Sequence, residues 1–428
     1  MHNLYPAKKH KFWNYIQSVK IGIFLASKDL KRANKWTTLL IVIVMTLTFL
    51  NLIIVSGILI GILEGATDAN KSRYTGDLLI STLQNKTYID KSEYIRSLLE
   101  NHPSVDKVSM RYQSSGVIEA NYKNRTRLTD SVDSAAGLVF GIDPVKENEV
   151  TNLSKYIIEG EYLSPSDTDK ILIGANLLYR YTPIDSPGFY TIKDIKIGSR
   201  IRLIVSGTTR EMTVKGIIKS KSDIDQGVFI NGRELKKIIG RDDNNVDAIA
   251  VRMKKDTDPL LLKADLVNQS IDKYSKVQTW EEAQPKFLND MRVTFSLLGD
   301  IIGSIGLAVA SITIFIIIFV NAITRRRYIG ILKGIGIHSS AIEISYIIQS
   351  LFYALCGIFL GSILIFFIIK PYFVIHPINF PFSDGILVAT FIGTLVRGII
   401  LFTATLIAGY IPARIVVKQN TLDAILGR

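Results

Sequence analysis

A membrane α-helical bundle of four transmembrane helices, with a large α+β extracytoplasmic domain between helices 1 and 2, is the fold class this sequence predicts. Three observations carry the prediction. Four apolar segments, Thr37–Leu63, Phe295–Ala322, Ile344–Ile369 and Ile386–Tyr410, are each long enough to cross a hydrocarbon layer of ~30 Å. The formal net charge of +13 is concentrated beside those segments, whereas the long stretch between the first two is nearly neutral. That stretch also alternates strand and helix patterns as an ordinary globular domain does.

The elements follow in order. Residues 1–36 form a cytoplasmic N-terminal segment in which Phe12, Trp13, Ile16, Val19, Ile23 and Leu25 recur at roughly helical spacing among lysines, the pattern of an amphipathic helix in the headgroup layer. Lys8, Lys9, Lys11, Lys20, Lys28, Lys31, Arg32 and Lys35 are opposed there only by Asp29. Transmembrane helix 1 occupies 37–63. Its apolar run exceeds the ~7–15 residues of a signal-peptide core, so it reads as a retained helix.

The extracytoplasmic domain covers 64–293. Strand Asp77–Ser81, a helix opened by a capping box at Asp90 and Glu93 and running to Asn101, and strands Val105–Tyr112 and Gly116–Asn121 begin it. Strand Val246–Met253, helix Asp258–Tyr274 and strand Lys276–Thr279 end it, so the two ends are expected to pair in one α+β sandwich. Between them a β subdomain is inserted at about 137–240, with strands at Gly137–Gly141, Ile171–Ile173, Ile201–Val205, Glu211–Val214 and Val228–Ile230. Ser206 and Gly207 make a tight turn, and Tyr181–Tyr190 reads as an exposed loop.

From Trp280 the pattern is helical, and after Pro285 no Pro or Gly interrupts the junction into transmembrane helix 2 at 294–322. A loop at 323–343, helix 3 at 344–369, an outer loop at 370–385, helix 4 at 386–410 and a tail at 411–428 complete the chain. Arg325, Arg326, Arg327 and Lys333 lie in the second-to-third loop, and Arg414, Lys418 and Arg428 follow helix 4. The positive-inside rule therefore puts both termini and that loop in the cytoplasm, in an inner or plasma membrane. The same distribution removes the case for a nucleic-acid partner.

Catalytic signatures are missing from the sequence. It has no GxxxxGK[ST], HExxH, CxxC or GxSxG, and the histidines at 2, 10, 102, 338 and 376 lack metal-ligand spacing. The reading is of a chain with no catalytic, cofactor or metal residues. Cys356 is alone, which excludes an internal disulfide. Two ionisable residues inside the membrane segments stand out, Asp300 and Arg397. Their depths differ by about 7–8 Å at ~1.5 Å per residue, a gap a long arginine can close, so a pair across helices 2 and 4 is the sharper expectation and an arginine on backbone carbonyls the plainer one. Gly299, Gly303 and Gly306, and Gly357 with Gly361, have the spacing of close helix packing, within the chain or between copies.

The stretch Arg325-Arg326-Arg327-Tyr328-Ile329-Gly330-Ile331-Leu332-Lys333-Gly334-Ile335-Gly336 is both basic and apolar where water is expected. Topology explains the arginines but not the isoleucines, and exposed apolar patches mark contacts. Arg326 to Gly336 resembles the cytoplasmic signature of the MacB/FtsX-like superfamily of ABC transporter permeases. Ile411-Pro412-Ala413-Arg414 through Leu422-Asp423-Ala424-Ile425-Leu426 is similar to that family's ending. Tyr74-Thr75-Gly76-Asp77, Phe140 to Pro144, Glu159 to Leu163 and Ile171 to Gly174 are similar to the lipoprotein-releasing and macrolide-export permeases.

The resemblance implies a permease subunit in which Arg325 to Gly336 is the ATPase-coupling loop. It implies a partner ABC ATPase subunit that binds the ATP and Mg, a second permease chain forming a homo- or heterodimer, and contact with membrane lipids and a membrane-fusion protein or lipoprotein carrier. The cargo it implies is lipid-anchored or amphipathic: a lipoprotein, lipid, peptide or macrolide. The alternative within the family is an FtsX-like regulator that activates a cell-wall hydrolase. Tyr328 stands where the family has Glu, and Asn420 or Thr421 where it has Pro. The Ser206–Gly207 turn replaces a long hairpin, which argues against carrier recruitment by that hook.

Overall fold

The computed structural model describes residues 7–418 apart from 124–132, 184–189, 194, 377, 381–382 and 386. The chain divides into a helical unit, Met1–Gly61 with Arg292–Ile378 and Ile386–Arg428, and a sheet unit, Ile62–Met291 with Asn379–Gly385.

In the helical unit, α1 (Ala7–Arg32) precedes α2, which starts at Lys35 and continues to Asn70. Later come the end of α7 (Lys286–Thr324), α8 (Arg326–Gly334), α9 (Ser339–Ile363), α10 (Lys370–Ile375) and α11 (Phe391–Val417). Among the described residues, four stretches are long and apolar enough to cross a membrane: Lys35–Thr75, Lys286–Thr324, Ser339–Ile375 and Phe391–Val417. The third stays helical through a π-turn at Leu364–Ile369 and past Pro371, where an outer loop was expected. Pro371 is tolerated because it falls in the first turn of α10.

The core of this unit shows why the helices pack. Ile41, Met45, Phe49 and Ile53 recur every fourth residue on α2, and Ala310, Ile314, Ile318 and Ala322 do so on α7, two i±4 ridges buried in one cluster. The glycines are the grooves. A Cβ on Gly357 would lie 2.5 Å from Met45 Cβ, and one on Gly361 2.5 Å from Phe49 Cδ1, so both seat α9 against α2. Gly299 faces Ser56, Gly303 faces Leu52 and Gly306 faces Asn51, which brings α7 onto α2 as well. Both small-residue rows are thus used within the chain. α1 packs on α9 too: a Cβ on Gly22 would meet Ile344 Cγ2 at 2.7 Å, and Ala26 is fully buried.

In the sheet unit the strands are β1 (Leu78–Ser81), β2 (Val105–Glu119), β3 (Ser134–Ile142), β4 (Ile157–Gly160), β5 (Lys170–Gly174), β6 (Arg200–Val205), β7 (Thr208–Ile218), β8 (Gly227–Asn231), β9 (Ala248–Met253) and β10 (Lys276–Thr279). Helices α3 (Ser92–Glu100), α4 (Pro144–Thr151), α5 (Gly232–Ile238) and α6 (Pro259–Asn268) cover them. The first and last strand units do pair: β1 lies between β9 and β10, antiparallel to both.

All ten strands are hydrogen-bonded in one sheet in the order β10-β1-β9-β2-β3-β8-β5-β7-β4, with β6 between β2 and β7, while the inserted strands keep a buried core (Ile118 to Ile238) apart from that of the first and last strand units. The two strands expected at 105–112 and 116–121 are one strand of 15 residues. Its first half pairs with β9 and its second half with β6, while β3 follows the other edge from Arg111 to Glu119. Gly116 does not end the strand because a Cβ there would strike Val139 Cγ2 at 2.7 Å; the glycine permits close packing. The tight turn at Ser206 and Gly207 is present, both residues at positive φ between β6 and β7.

The capping box at Asp90 and Glu93 does not form. Lys91 takes a left-handed conformation, and the free N–H of Ser92 donates to Asn245 Oδ1, a cap supplied from 153 residues away. The helix expected from Trp280 starts at Lys286, since Trp280–Gln284 is occupied by turns bonded back to Asp77 and Thr279. Residues 184–189 of the Tyr181–Tyr190 loop, and the ending Leu422–Leu426 with Asn420 and Thr421, lie outside the described residues.

Deep in the sheet unit, Arg111 on β2 is 2 % exposed and Glu147 on α4 1 %. The guanidinium donates twice to the carboxylate, at 2.8 and 2.7 Å, and Ser109 Oγ donates to it at 2.7 Å. Burial, together with the Glu147 charge, pushes the neighbouring Tyr162 phenol far above its ordinary pKa.

Candidate functional site

The residues singled out at 325–336 form a short helix in place of a loop. α7 ends at Thr324, Arg325 breaks the helical path, and α8 runs from Arg326 to Gly334. Its end is a complete Schellman motif: Gly336 takes φ +94°, its N–H donates to Lys333 O at 3.0 Å, and Ile337 N donates to Leu332 O at 3.0 Å. A side chain at 336 would be strained, so Gly336 fixes where the helix stops. His338 Nδ1 then accepts from Ser340 N and opens α9.

α8 presents two apolar faces. Ile329, Gly330 and Leu332 are buried in the core of the helical unit. Tyr328, Ile331 and Ile335, spaced three and four residues apart, form an exposed row, 45 %, 51 % and 72 % accessible. Arg326 is half-buried; Arg327, Gly334 and Gly336 are exposed. Lys333 reaches the far end of α11, donating to Val417 O at 2.8 Å, a cation placed on the carbonyl end of a helix.

Arg325 points away from the exposed row. Its Nη1 lies 2.7 Å from Asp29 Oδ1 on α1, and Gln349 Nε2 of α9 donates to Asp29 Oδ2 at 3.3 Å. The three residues border a polar cavity of about 260 Å³ that Asn34, Asn321 and Tyr346 also line. Asp29 and Gln349 were not singled out by sequence reasoning. The available signal was Asp29 itself, the sole acidic residue among the cations before α2.

Asp300 and Arg397 make no direct ion pair, although Asp300 lies near enough to act on the guanidinium electrostatically. Arg397 Nη2 donates to Ser56 Oγ at 2.6 Å and Nη1 to Gly393 O at 3.3 Å, so the guanidinium is satisfied by α2 and by its own helix. Asp300 is exposed on α7 and has no ion-pair partner among the described residues. Among the described residues no group of three His, Cys, Asp or Glu side chains could hold a metal ion.

Residues 301–421 match the FtsX-like permease C-terminal family model. The chain is 24 % identical over 323 residues to a probable syringafactin export ATP-binding/permease protein of Pseudomonas syringae, covering 63 % of this chain and 47 % of that one. It is 24 % identical over 297 residues to an uncharacterized ABC transporter permease of Methanocaldococcus jannaschii, covering 66 % and 69 %. The chain thus spans about half the length of the first relative. Among solved structures, the periplasmic region of MacB from Actinobacillus actinomycetemcomitans aligns with 48 % of this chain and 88 % of its own, at TM-score 0.33 and 12 % identity. The extracellular domain of the transporter YknZ from Gram-positive bacteria aligns with 47 % and 97 %, at TM-score 0.31 and 15 % identity. At these scores neither bears on function.

Proposed function

We propose that this chain, whose residues 301–421 match the FtsX-like permease C-terminal family model, is a MacB/FtsX-like ABC transporter permease, the membrane subunit through which a partner ATPase moves or releases a lipid-anchored or amphipathic cargo on the far side of the membrane. ATP and Mg are bound by the partner. The basic residues before α2, in α8 and after α11 orient the termini and α8 toward the cytoplasm. The sheet unit is then extracytoplasmic.

The observation that carries the reading is the exposed row Tyr328, Ile331 and Ile335 on a helix whose other face is locked into the core. An apolar row in water is costly unless a partner covers it. Its supports prevent it from moving alone: Leu332 and Ile329 are buried, Lys333 holds α11, and Arg325 holds α1. A push from the ATPase therefore displaces α8 together with the helices it is tied to. α7 is unbroken from Lys286 to Thr324, so displacement at one end is carried to the other without a hinge.

The test is co-purification from membranes with the ATPase encoded nearest to this chain. Replacing Ile331 and Ile335 with Glu is expected to abolish capture of the ATPase and leave thermal stability unchanged, because both side chains face outward. Retained capture would overturn the reading. A cell-wall hydrolase recovered with the intact complex, with no cargo, would favour the regulator in place of the transporter.

A further inference from the structure

We infer that the sheet unit holds a binding site for a small amphipathic anion, a carboxylate or phosphate ester with an apolar tail, in a crevice at the ends of β3 and β8. The inference stands on the sheet unit alone and holds whether or not an ATPase drives the chain.

The topology creates the crevice. β3 and β8 are adjacent and parallel, and end together at Ile142 and Asn231. Each leads into a helix, β3 through Asp143 into α4 and β8 directly into α5. The two helices leave to opposite faces. α4 lies on the face of Arg111, because Glu147 accepts from Ser109 and Arg111. α5 lies on the face of Gly141, where a Cβ would meet Leu235 Cβ at 2.7 Å; Gly141 pairs with Tyr112, whose side chain points opposite to that of Arg111. Neighbouring parallel strands whose helices part in this way leave a gap at their carboxyl ends, the place where open sheets bind ligands.

A cavity of about 360 Å³ occupies that gap, within the range of small-ligand pockets. Its floor is apolar: Val108, Met110 and Tyr112 from β2, with Val246. Its rim carries Arg96, Lys146 and Arg233 against Glu93 and Asp143. The two acids are already engaged. Glu93 Oε2 lies 2.7 Å from Arg96 Nη2, and Asp143 Oδ1 accepts from the N–H groups of Val145 and Lys146. Lys146 is 3.4 Å from Glu100. Arg233 is exposed and has no acceptor among the described residues, although its backbone N–H is capped by Asn231. One uncommitted guanidinium beside an apolar floor selects a ligand with a single anionic head, which Arg can hold through paired hydrogen bonds.

Met110 lies in the floor, and the chain has 6 methionines, so its methyl group is a local reporter. The experiment uses the full chain in phosphatidylcholine nanodiscs with carbon-13 methionine methyls, titrated with hexanoate, hexyl phosphate and hexyltrimethylammonium. A saturable shift of the Met110 methyl is expected with an anion and none with the cation, while Met45, in the core of the helical unit, stays unmoved. Response to hexanoate alone identifies a carboxylate head; response to hexyl phosphate alone identifies a phosphate ester. Arg233→Glu is expected to weaken binding about tenfold or more and Arg233→Lys to retain most of it. No saturable Met110 shift with either anion, an equal response to the cation, or unchanged affinity in Arg233→Glu would each overturn the site.

Discussion

The helical unit and the sheet unit satisfy their polar groups differently. In the helical unit, beside the few cross-helix contacts of Arg325, Lys333 and Arg397, threonine hydroxyls bond back along their own helix: Thr46 to Val42 O, Thr313 to Val309 O, Thr403 to Ile399 O and Thr405 to Leu401 O, all four residues apart at 2.8, 2.8, 2.8 and 2.7 Å. Specific packing comes from glycine grooves. In the sheet unit polar groups bond across the fold: Arg111 to Glu147, Gln113 N to Asp247 Oδ2 over 134 residues, Met253 N to Asp77 Oδ2 over 176. The difference follows from the solvent each unit is built for. Lipid supplies no hydrogen bonds to an opened helix, so local closure is the cheap solution, and close approach of backbones replaces the hydrophobic drive. A sheet unit surrounded by water can spend charge on fixing one arrangement of distant segments.

Substitutions at three places sharpen that contrast, and the largest effect belongs to the sheet unit. Glu147→Gln leaves the Arg111 charge buried without its partner and is expected to destabilise that unit by about 3–5 kcal/mol. Arg111→Met with Glu147→Leu should recover most of the loss. Limited proteolysis of the sheet unit against temperature measures both; equal losses in the single and double variants would show that shape, not charge, is at stake. Next comes Gly357→Val on α9, where the new atoms strike Met45 and Thr46; overpacking of about 1–3 kcal/mol is expected, read as a lower unfolding temperature in detergent. The smallest is Thr313→Val on α7. Its hydroxyl serves only its own helix, so a change within about 0.5 kcal/mol is expected, and a larger one would mean that the hydroxyl has a cross-helix role.

The same contrast explains what could be read from the sequence. The spans were legible because apolar length is a local property, and β10 matches its expected range of Lys276–Thr279 because its pattern is bounded by turns. The short helices α4 and α5 have no periodic signature in the sequence, and α8 reads there as a loop. Helices of seven to nine residues are unstable alone and exist here because tertiary contacts complete them. Two signals were nevertheless present: Asp143-Pro144 as an N-cap followed by a proline in the first turn, and Gly336 as a C′ stop. The partner of Arg325 could not have been inferred by spacing, since Asp29 is 296 residues away. Depth along the helices brings Asp300 within electrostatic reach of Arg397, but the direct hydrogen bond goes to Ser56, which depth alone does not reveal.

The length of β2 has a mechanical consequence. This one strand borders β9 at its start, β6 at its end and β3 along most of its length, so both halves of the sheet hang on a common beam. Between Tyr112 and Ser115 the β9/β6 edge of that beam carries no ladder partner among the described strands, so the halves are joined there by the β2–β3 ladder alone. A displacement that starts where β1 and β10 meet reaches β6 and β7 only through that stretch.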